Sequence, residues 1–528
     1  MGPIGFADRL TARVVSALED DSIPFSTAAL SFVGAVAVRT GIEMFSDVNG
    51  LEKATLTRFL HYGLFYVAVA IGVVLVLSVI GRSPVVRTSK AVLPSFVVLL
   101  VAPVVDLVAS AGAGTDIGYL NPPRWGQLAA QYATFLAPIK GRNPSLGLRV
   151  EIALVVIGAV LYLRNKRASL PRCLAGGVLV YTVIFAVGAL PFWVRRTIGP
   201  IGLRFVGFDE QAVVFLSAGL YLEMIVLAFV GSRRYFCELV KDLRWLRVAH
   251  YQLIYLLGVA LAATGGRALP DAPPPFGLVF VPLALMPAVL FAIVTNNLAD
   301  VDIDRTSNSR RPLFAPGIDH RAYARTSWLF LALTFYYACL AGVLGFLAIA
   351  FFTGSYYLYS MPPLRLKRVP LLSKLVIALN TLALLSAGYG LAGGDVRALP
   401  KSLVAYVLVA FTLAVNFIDL KDYEGDKIAG IRTLPVLLGM RRAQLLLAGA
   451  FVACYGLAYF AVDLAAVVGL PRPANLILLL GLGSVQAFLL TRRPYKELPV
   501  FAVYVGSVAA LVGYVALFAP PDLLAQLP

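Results

Sequence analysis

Cysteine and histidine are scarce in this 528-residue chain, and where they occur they stand apart. The four cysteines, Cys173, Cys237, Cys339 and Cys454, show no CxxC spacing. That excludes a disulfide framework and a thiolate metal site, and they read as small apolar residues. The three histidines, His61, His250 and His320, are too scattered for a zinc site. Acids are also few, 28 Asp and Glu against 45 Lys and Arg, which leaves a formal net charge of +17. The basic residues are spread over short loops rather than gathered in one stripe, so nucleic-acid binding is not expected. The first 23 residues carry Asp, Glu and Arg before any long apolar run, which argues against a cleaved signal peptide.

What is abundant is apolar sequence. The hydrophobic fraction is 59 %, and the mean hydropathy is +0.83. No soluble domain needs so much, so the fold class is an all-α polytopic membrane protein. Residues 1–22 read as an amphipathic lead. Apolar runs follow at about 25–46, 59–81, 92–112, 148–163, 173–194 and 210–232, about six spans. A long polar insert, Gly112 to Leu148, interrupts them; its length suggests a functional or partly folded loop. The basic, aromatic stretch SRRYFCELVKDLRWLRVAH then reads as an interfacial helix. A domain boundary near Ser232 divides residues 1–232 from 233–528. Nine further spans are expected at about 248–264, 278–299, 323–341, 343–360, 371–393, 401–418, 444–468, 474–491 and 497–519.

Two acid-rich segments follow long apolar runs. The first, NNLADVDIDRTSNSRRPL, begins at Asn296. On a helix Asn296, Asp300 and Asp304 share one face. The second, NFIDLKDYEGDKIAGIRTLPVLLG, begins at Asn416 and holds Asp419, Asp422 and Asp426 at i, i+3 and i+7. Arginine and proline follow each cluster, as in the halves of an internal duplication with a polar site between them. Clustered carboxylates repel unless a cation joins them, and hard oxygen ligands suit Mg2+ with a substrate phosphate.

The chain from about Arg233 onward resembles the UbiA superfamily of intramembrane prenyltransferases. The first motif, NDxxDxxxD, appears as Asn296-Asn297-x-x-Asp300-x-x-x-Asp304, with Asn297 in place of the commoner Asp and Asp302 nearby. The second, DxxDxxxD, is Asp419-x-x-Asp422-x-x-x-Asp426. Between them lies Tyr359-Ser-Met-Pro-Pro-Leu-Arg365-Leu-Lys367-Arg368. The resemblance implies a nine-span UbiA-type bundle after the six extra spans. It also implies a Mg2+-dependent enzyme that moves a prenyl group from a prenyl diphosphate to an acceptor. Asn296, Asp300, Asp304, Asp419, Asp422 and Asp426 are then the catalytic residues, with Asp300, Asp304, Asp422 and Asp426 as metal ligands. Arg310, Arg311, Tyr359, Arg365, Lys367 and Lys421 would contact substrate, and Asn380 and Asn416 would face the cavity or bond between helices. The acceptor, whether aromatic, tetrapyrrole or lipid, stays open; membrane lipids are the other expected partners. Alternatives are a transporter or lipid carrier, and a UbiA-type phosphoribosyl transferase acting on a polyprenyl phosphate.

With both motifs on one side, the loop residues Arg305, Arg365, Lys367, Arg432, Arg441 and Arg492 share that side, which the positive-inside rule makes cytoplasmic. Arg195, Arg196 and Arg204 then fall outside, against the rule. Arg39 and Glu43 lie within the first span, and Asp106 within the third. Two readings stand for them: structural ion pairing, or a polar head-group cavity open to the outer side beneath the long insert.

Overall fold

The computed structural model describes residues 3–46, 55–112, 119–135, 144–198, 205, 207–263, 276–301, 311–315, 318–369, 371–428, 430–462 and 471–518. Every regular element among them is helical. Fourteen helical segments in the described residues are long and apolar enough to cross a membrane. With that many, the chain is an integral multi-pass membrane protein. Its contacts divide it into two compact units, Met1–Cys237 and Glu238–Pro528.

The first unit contains α1 (Pro3–Leu18), α2 (Phe25–Ser46), α3 (Leu56–Gly81), α4 (Val85–Ser95), α5 (Val101–Ala109), α6 (Trp125–Ala133), α7 (Leu146–Asn165), α8 (Leu170–Gly188), α9 (Leu190–Thr197) and α10 (Phe208–Gly231). The long insert is partly folded, since it carries α6. The third span begins earlier than its apolar run suggests. It is broken: α4 ends at Ser95 beside Pro94, a 3-10 stretch covers Phe96–Leu100, and α5 follows.

A broken helix inside a bilayer needs partners for its displaced backbone groups. The intramembrane charges supply them. Arg39 Nη1 donates to the Leu99 carbonyl at 2.7 Å, and the Ala102 N–H donates to Glu151 Oε2 at 3.3 Å. Arg39 Nε also pairs with Glu43 at 2.8 Å, and Nη1 lies 3.5 Å from Glu151. Asp106 accepts the Gly147 N–H at 2.7 Å in the first turn of α7. Arg39 is 1 % exposed and Asp106 3 %, so neither lines an open cavity. These charges staple α2, the break and α7, which favours the structural-pairing reading of the two.

A short helix, α11 (Arg233–Asp242), contains the boundary between the units. The second unit continues with α12 (Trp245–Ala263), α13 (Phe276–Ala299), α14 (His320–Leu340), α15 (Gly342–Ser360), α16 (Leu372–Leu391), α17 (Lys401–Ala414), α18 (Tyr423–Ile428), α19 (Leu434–Leu438), α20 (Met440–Val462), α21 (Arg472–Thr491) and α22 (Glu497–Phe518). Among the described residues of this unit, eight helices meet both the length and the apolarity needed to span. α14 has the length, but Arg321, Arg325 and its hydroxyl residues dilute its apolar content.

Helix packing in a membrane relies on close backbone approach as much as on apolar burial. Gly258 of α12 and Gly388 of α16 face each other so closely that a Cβ on either would lie about 2 Å from the opposite carbonyl oxygen. α12 also packs against α13 and α22, and α13 against α14 and α15. The sequence of contacts α15, α16, α17, α20, α21, α22 closes the bundle back on α12. The two acid motifs sit at the C-terminal ends of α13 and α17.

Candidate active site

The first motif begins as a helix end. The Asp300 N–H donates to the Asn296 carbonyl at 3.0 Å, one turn back, so the two side chains share a face. Asp302, Asp304 and Arg310 lie outside the described residues. Ser360 Oγ donates to Asn296 Oδ1 at 3.1 Å, tying the end of α15 to the motif.

Beyond α15 the chain turns through Arg365, whose φ of 41° puts it in the left-handed region, unusual for a side-chain-bearing residue. Past that turn, Arg365 Nη2 donates to Asp300 Oδ1 at 2.9 Å and to the Ala299 carbonyl at 2.8 Å. Lys367 Nζ donates to Asp300 Oδ1 at 2.5 Å, makes a second close contact to Oδ2, and reaches Asn296 Oδ1 at 3.4 Å. The structure therefore brings Asn296, Asp300, Arg365 and Lys367 together from two segments separated by about sixty residues.

The second motif departs from the continuous helix that its spacing suggests. Val415–Leu420 is 3-10, and α18 begins only at Tyr423. Residues i and i+3 eclipse in a 3-10 turn, so Asp419 and Asp422 still align. The Asp422 N–H donates to Asp419 O at 3.1 Å, and the Asp426 N–H to Asp422 O at 2.8 Å. Asp419 Oδ1 accepts from Lys374 Nζ at 2.6 Å, whereas its buried Oδ2 has no hydrogen-bond partner. Burial pushes the Asp426 carboxyl up to about 7, helped by the nearby charges of Asp419 and Asp422. Asp422 is also raised by burial, against the pull of Lys421 and Arg247.

Cations surround these acids. Lys421 Nζ pairs with Glu497 Oε2 at 2.5 Å, and Arg247 Nη2 lies 3.4 Å from Glu497 Oε1. Burial, with Arg247 and Arg311 close by, pulls the Arg244 guanidinium down to about 10. Arg311 Nη1 pairs with Asp242 Oδ1 at 2.8 Å. Tyr359 lies within electrostatic reach of both Asp300 and Asp419, and its ring sits 6.0 Å from that of Tyr356. Tyr356 shares a hydroxyl–hydroxyl contact with Tyr251. Asn380 is buried and exchanges hydrogen bonds with Ser355, so it joins α16 to α15. Asn416 donates back to the carbonyls of Thr412 and Leu413.

A cavity of about 610 Å³ lies beside this cluster. Its lining joins Lys367, Lys374, Asn416, Asp419 and Arg432 to a wall of leucine and alanine from α19 and α20. An amphiphile with an anionic head and a hydrocarbon tail meets complementary chemistry there.

Sequence reasoning missed Asp242, Arg244, Arg247, Lys374 and Glu497. Glu497 had a legible signal, a lone acid opening an apolar run. Arg244 and Arg247 were absorbed into the basic interfacial stretch. Lys374 lies in an apolar run, LLSKLVIAL, and only its partner Asp419, 45 residues on, reveals its role.

Residues 253–519, just over half of the chain, match the UbiA prenyltransferase family. Among curated relatives, digeranylgeranylglyceryl phosphate synthase of Pyrococcus horikoshii is 30 % identical over 158 residues, 29 % of this chain and 53 % of that protein. Homogentisate solanesyltransferase of Arabidopsis thaliana chloroplasts is 30 % identical over 246 residues, 42 % of this chain and 60 % of that protein. The chain thus spans about half the length of the curated relatives it matches. A UbiA homolog from Archaeoglobus fulgidus, solved with GPP and Mg2+, aligns over 53 % of this chain and 98 % of its own with a TM-score of 0.43 and 22 % identity. The family match, over the half of the chain that holds both acid motifs, makes this protein a member of the UbiA prenyltransferase family.

Proposed function

We propose that the chain is a Mg2+-dependent prenyltransferase that joins the prenyl group of a prenyl diphosphate to an acceptor and releases diphosphate. The observation that carries this reading is the meeting of Asp300 with Arg365 and Lys367, where Lys367 also lines a cavity that holds Asp419 and an apolar wall. Membership of the UbiA prenyltransferase family, and relatives named digeranylgeranylglyceryl phosphate synthase and homogentisate solanesyltransferase, support it.

The donor set fits a hard divalent cation. All candidate ligands are carboxylate oxygens, Asp419 has a buried oxygen without a partner, and burial and mutual repulsion raise Asp426. That suits Mg2+, which keeps waters and takes one or two carboxylates plus substrate phosphate. Asp300, Asp304, Asp422 and Asp426 are the residues that would hold it. When bound, it supplies charge stabilisation for the departing diphosphate.

The protein's own groups do the rest. Arg365 and Lys367 release Asp300 to donate to diphosphate oxygens, Arg through a fork and Lys as a point charge. As the bond between C1 and the bridging oxygen breaks, its electron pair goes to diphosphate. The acceptor nucleophile forms the new bond to C1 and loses its proton to the departing diphosphate. The ring faces of Tyr359 and Tyr356 shelter the positive charge that develops on the allyl group. The apolar wall holds the tail and keeps out water that would quench that charge. The motif side is cytoplasmic, as loop charge supports.

The test incubates membranes bearing the chain with labelled prenyl diphosphates and a panel of aromatic, tetrapyrrole and lipid acceptors. Mg2+-dependent pyrophosphate release with a prenylated product is the expected result. Movement of lipid or substrate across vesicles without any bond formed makes the chain a carrier instead.

A further inference from the structure

Asn297 is 1 % exposed at the end of α13, and both of its amide hydrogens are used. Nδ2 donates to Asp242 Oδ2 at 2.5 Å and to the Tyr323 hydroxyl at 2.8 Å. The other oxygen of Asp242 takes Arg311 Nη1 at 2.8 Å. Four side chains from α11, α13, the segment after the first motif and α14 thus form one network within the second unit. Its logic is polar, since an amide at 297 donates to the carboxylate at 242 and an ionised acid there could not. An acid at 297 would set two buried carboxylates against each other.

We propose that Asp242 is a positioning residue that holds Arg311 toward the diphosphate, and that Asn297 is an amide because it must orient Asp242. This rests on the prenyltransferase reading above. Arg311 is within electrostatic reach of Arg244, which in turn feels Arg247 and Glu497, so Arg311 belongs to the cationic rim facing the second motif. A carboxylate holding one guanidinium nitrogen fixes the plane of the whole fork, so the remaining donors meet an oxyanion in a set direction. The departure from the commoner Asp at position 297 thereby gains a physical reason.

The network predicts a reciprocal exchange. In Asn297→Asp with Asp242→Asn, the new amide at 242 donates to the acid at 297. Its carbonyl oxygen still accepts from Arg311, and Tyr323 donates its hydroxyl hydrogen to the acid. The two bonds of position 297 are kept with their direction reversed, and the bond from Arg311 keeps its direction.

The experiment purifies the full chain as wild type, Asn297→Asp, Asp242→Asn and the double variant. It measures thermal stability in detergent, and binding of inorganic pyrophosphate with Mg2+. Asn297→Asp is expected to lower the melting temperature and weaken pyrophosphate binding by about tenfold or more. Asp242→Asn should weaken binding in the same direction, and the double variant should recover both readouts to within about threefold of wild-type affinity. A double variant no better than the worse single variant overturns the proposal, as does Asn297→Asp with wild-type stability and affinity. Recovered stability without recovered pyrophosphate binding reduces the network to a structural tie and overturns the positioning role. Pyrophosphate binding is read without prenyl transfer. A chain that shows this pattern yet transfers no prenyl group therefore overturns the proposed function and supports this inference. Wild-type protein that binds no pyrophosphate overturns it.

Discussion

Asp300 meets two cations where a metal and a diphosphate would otherwise share its charge. Asp300→Asn keeps the shape and removes a charged ligand, so turnover should fall by about 100-fold or more while the protein still inserts. Turnover within a few-fold of wild type at limiting Mg2+ would remove Asp300 from the site. Lys374 and Asp419 make a different case, because both are deeply buried and directly bonded. Lys374→Met leaves a buried carboxylate without its cation, which costs about 3–5 kcal/mol of stability. Adding Asp419→Asn should restore the melting temperature but not the activity. Restoration of both would show that Asp419 serves only to hold α16 against the second motif.

At the scale of the element, breaks matter more than spans. The third span is interrupted by 3-10 structure, and Arg39 and Glu151 answer the backbone groups that the break displaces. Arg39→Gln should destabilise the first unit by about 3–5 kcal/mol, since Glu43 and Glu151 lose their shared cation. Thermal survival of the folded protein in detergent reads this directly; unchanged survival would return Arg39 to the head-group hypothesis. The second motif also leaves α geometry, with Val415–Leu420 in 3-10 form and the Asp422 N–H bonded back to the Asp419 carbonyl.

For the molecule as a whole, a site assembled from four or more helices of the second unit links ligand binding to stability. A ligand that binds only the folded state stabilises it by about 2.7 kcal/mol at a hundredfold excess over its dissociation constant. Geranyl diphosphate with Mg2+ should therefore raise the melting temperature of the full chain, and a chelator should abolish the rise. An equal rise with and without divalent cation would point to the cationic rim alone as the diphosphate site.

The multi-pass helical class and family membership were legible in one dimension, because a bilayer demands long apolar helices and both acid motifs are local in sequence. The same locality made Asn296, Asp300 and the Arg365–Lys367 segment readable as candidates. Their convergence was not, because it depends on how α13 and the turn at Arg365 meet across a gap that no spacing rule covers. Lys374 and Asp242 stayed invisible for the same reason: each acquires its meaning from a partner on another element. The charges of the first unit were visible as anomalies, yet their purpose was not, since a helix break at Phe96–Leu100 gives no apolar interruption to read. Hydrophobicity, summed along the chain, decides what crosses the membrane. Hydrogen-bond satisfaction among buried groups, which acts only between elements in contact, decides where each polar side chain is used.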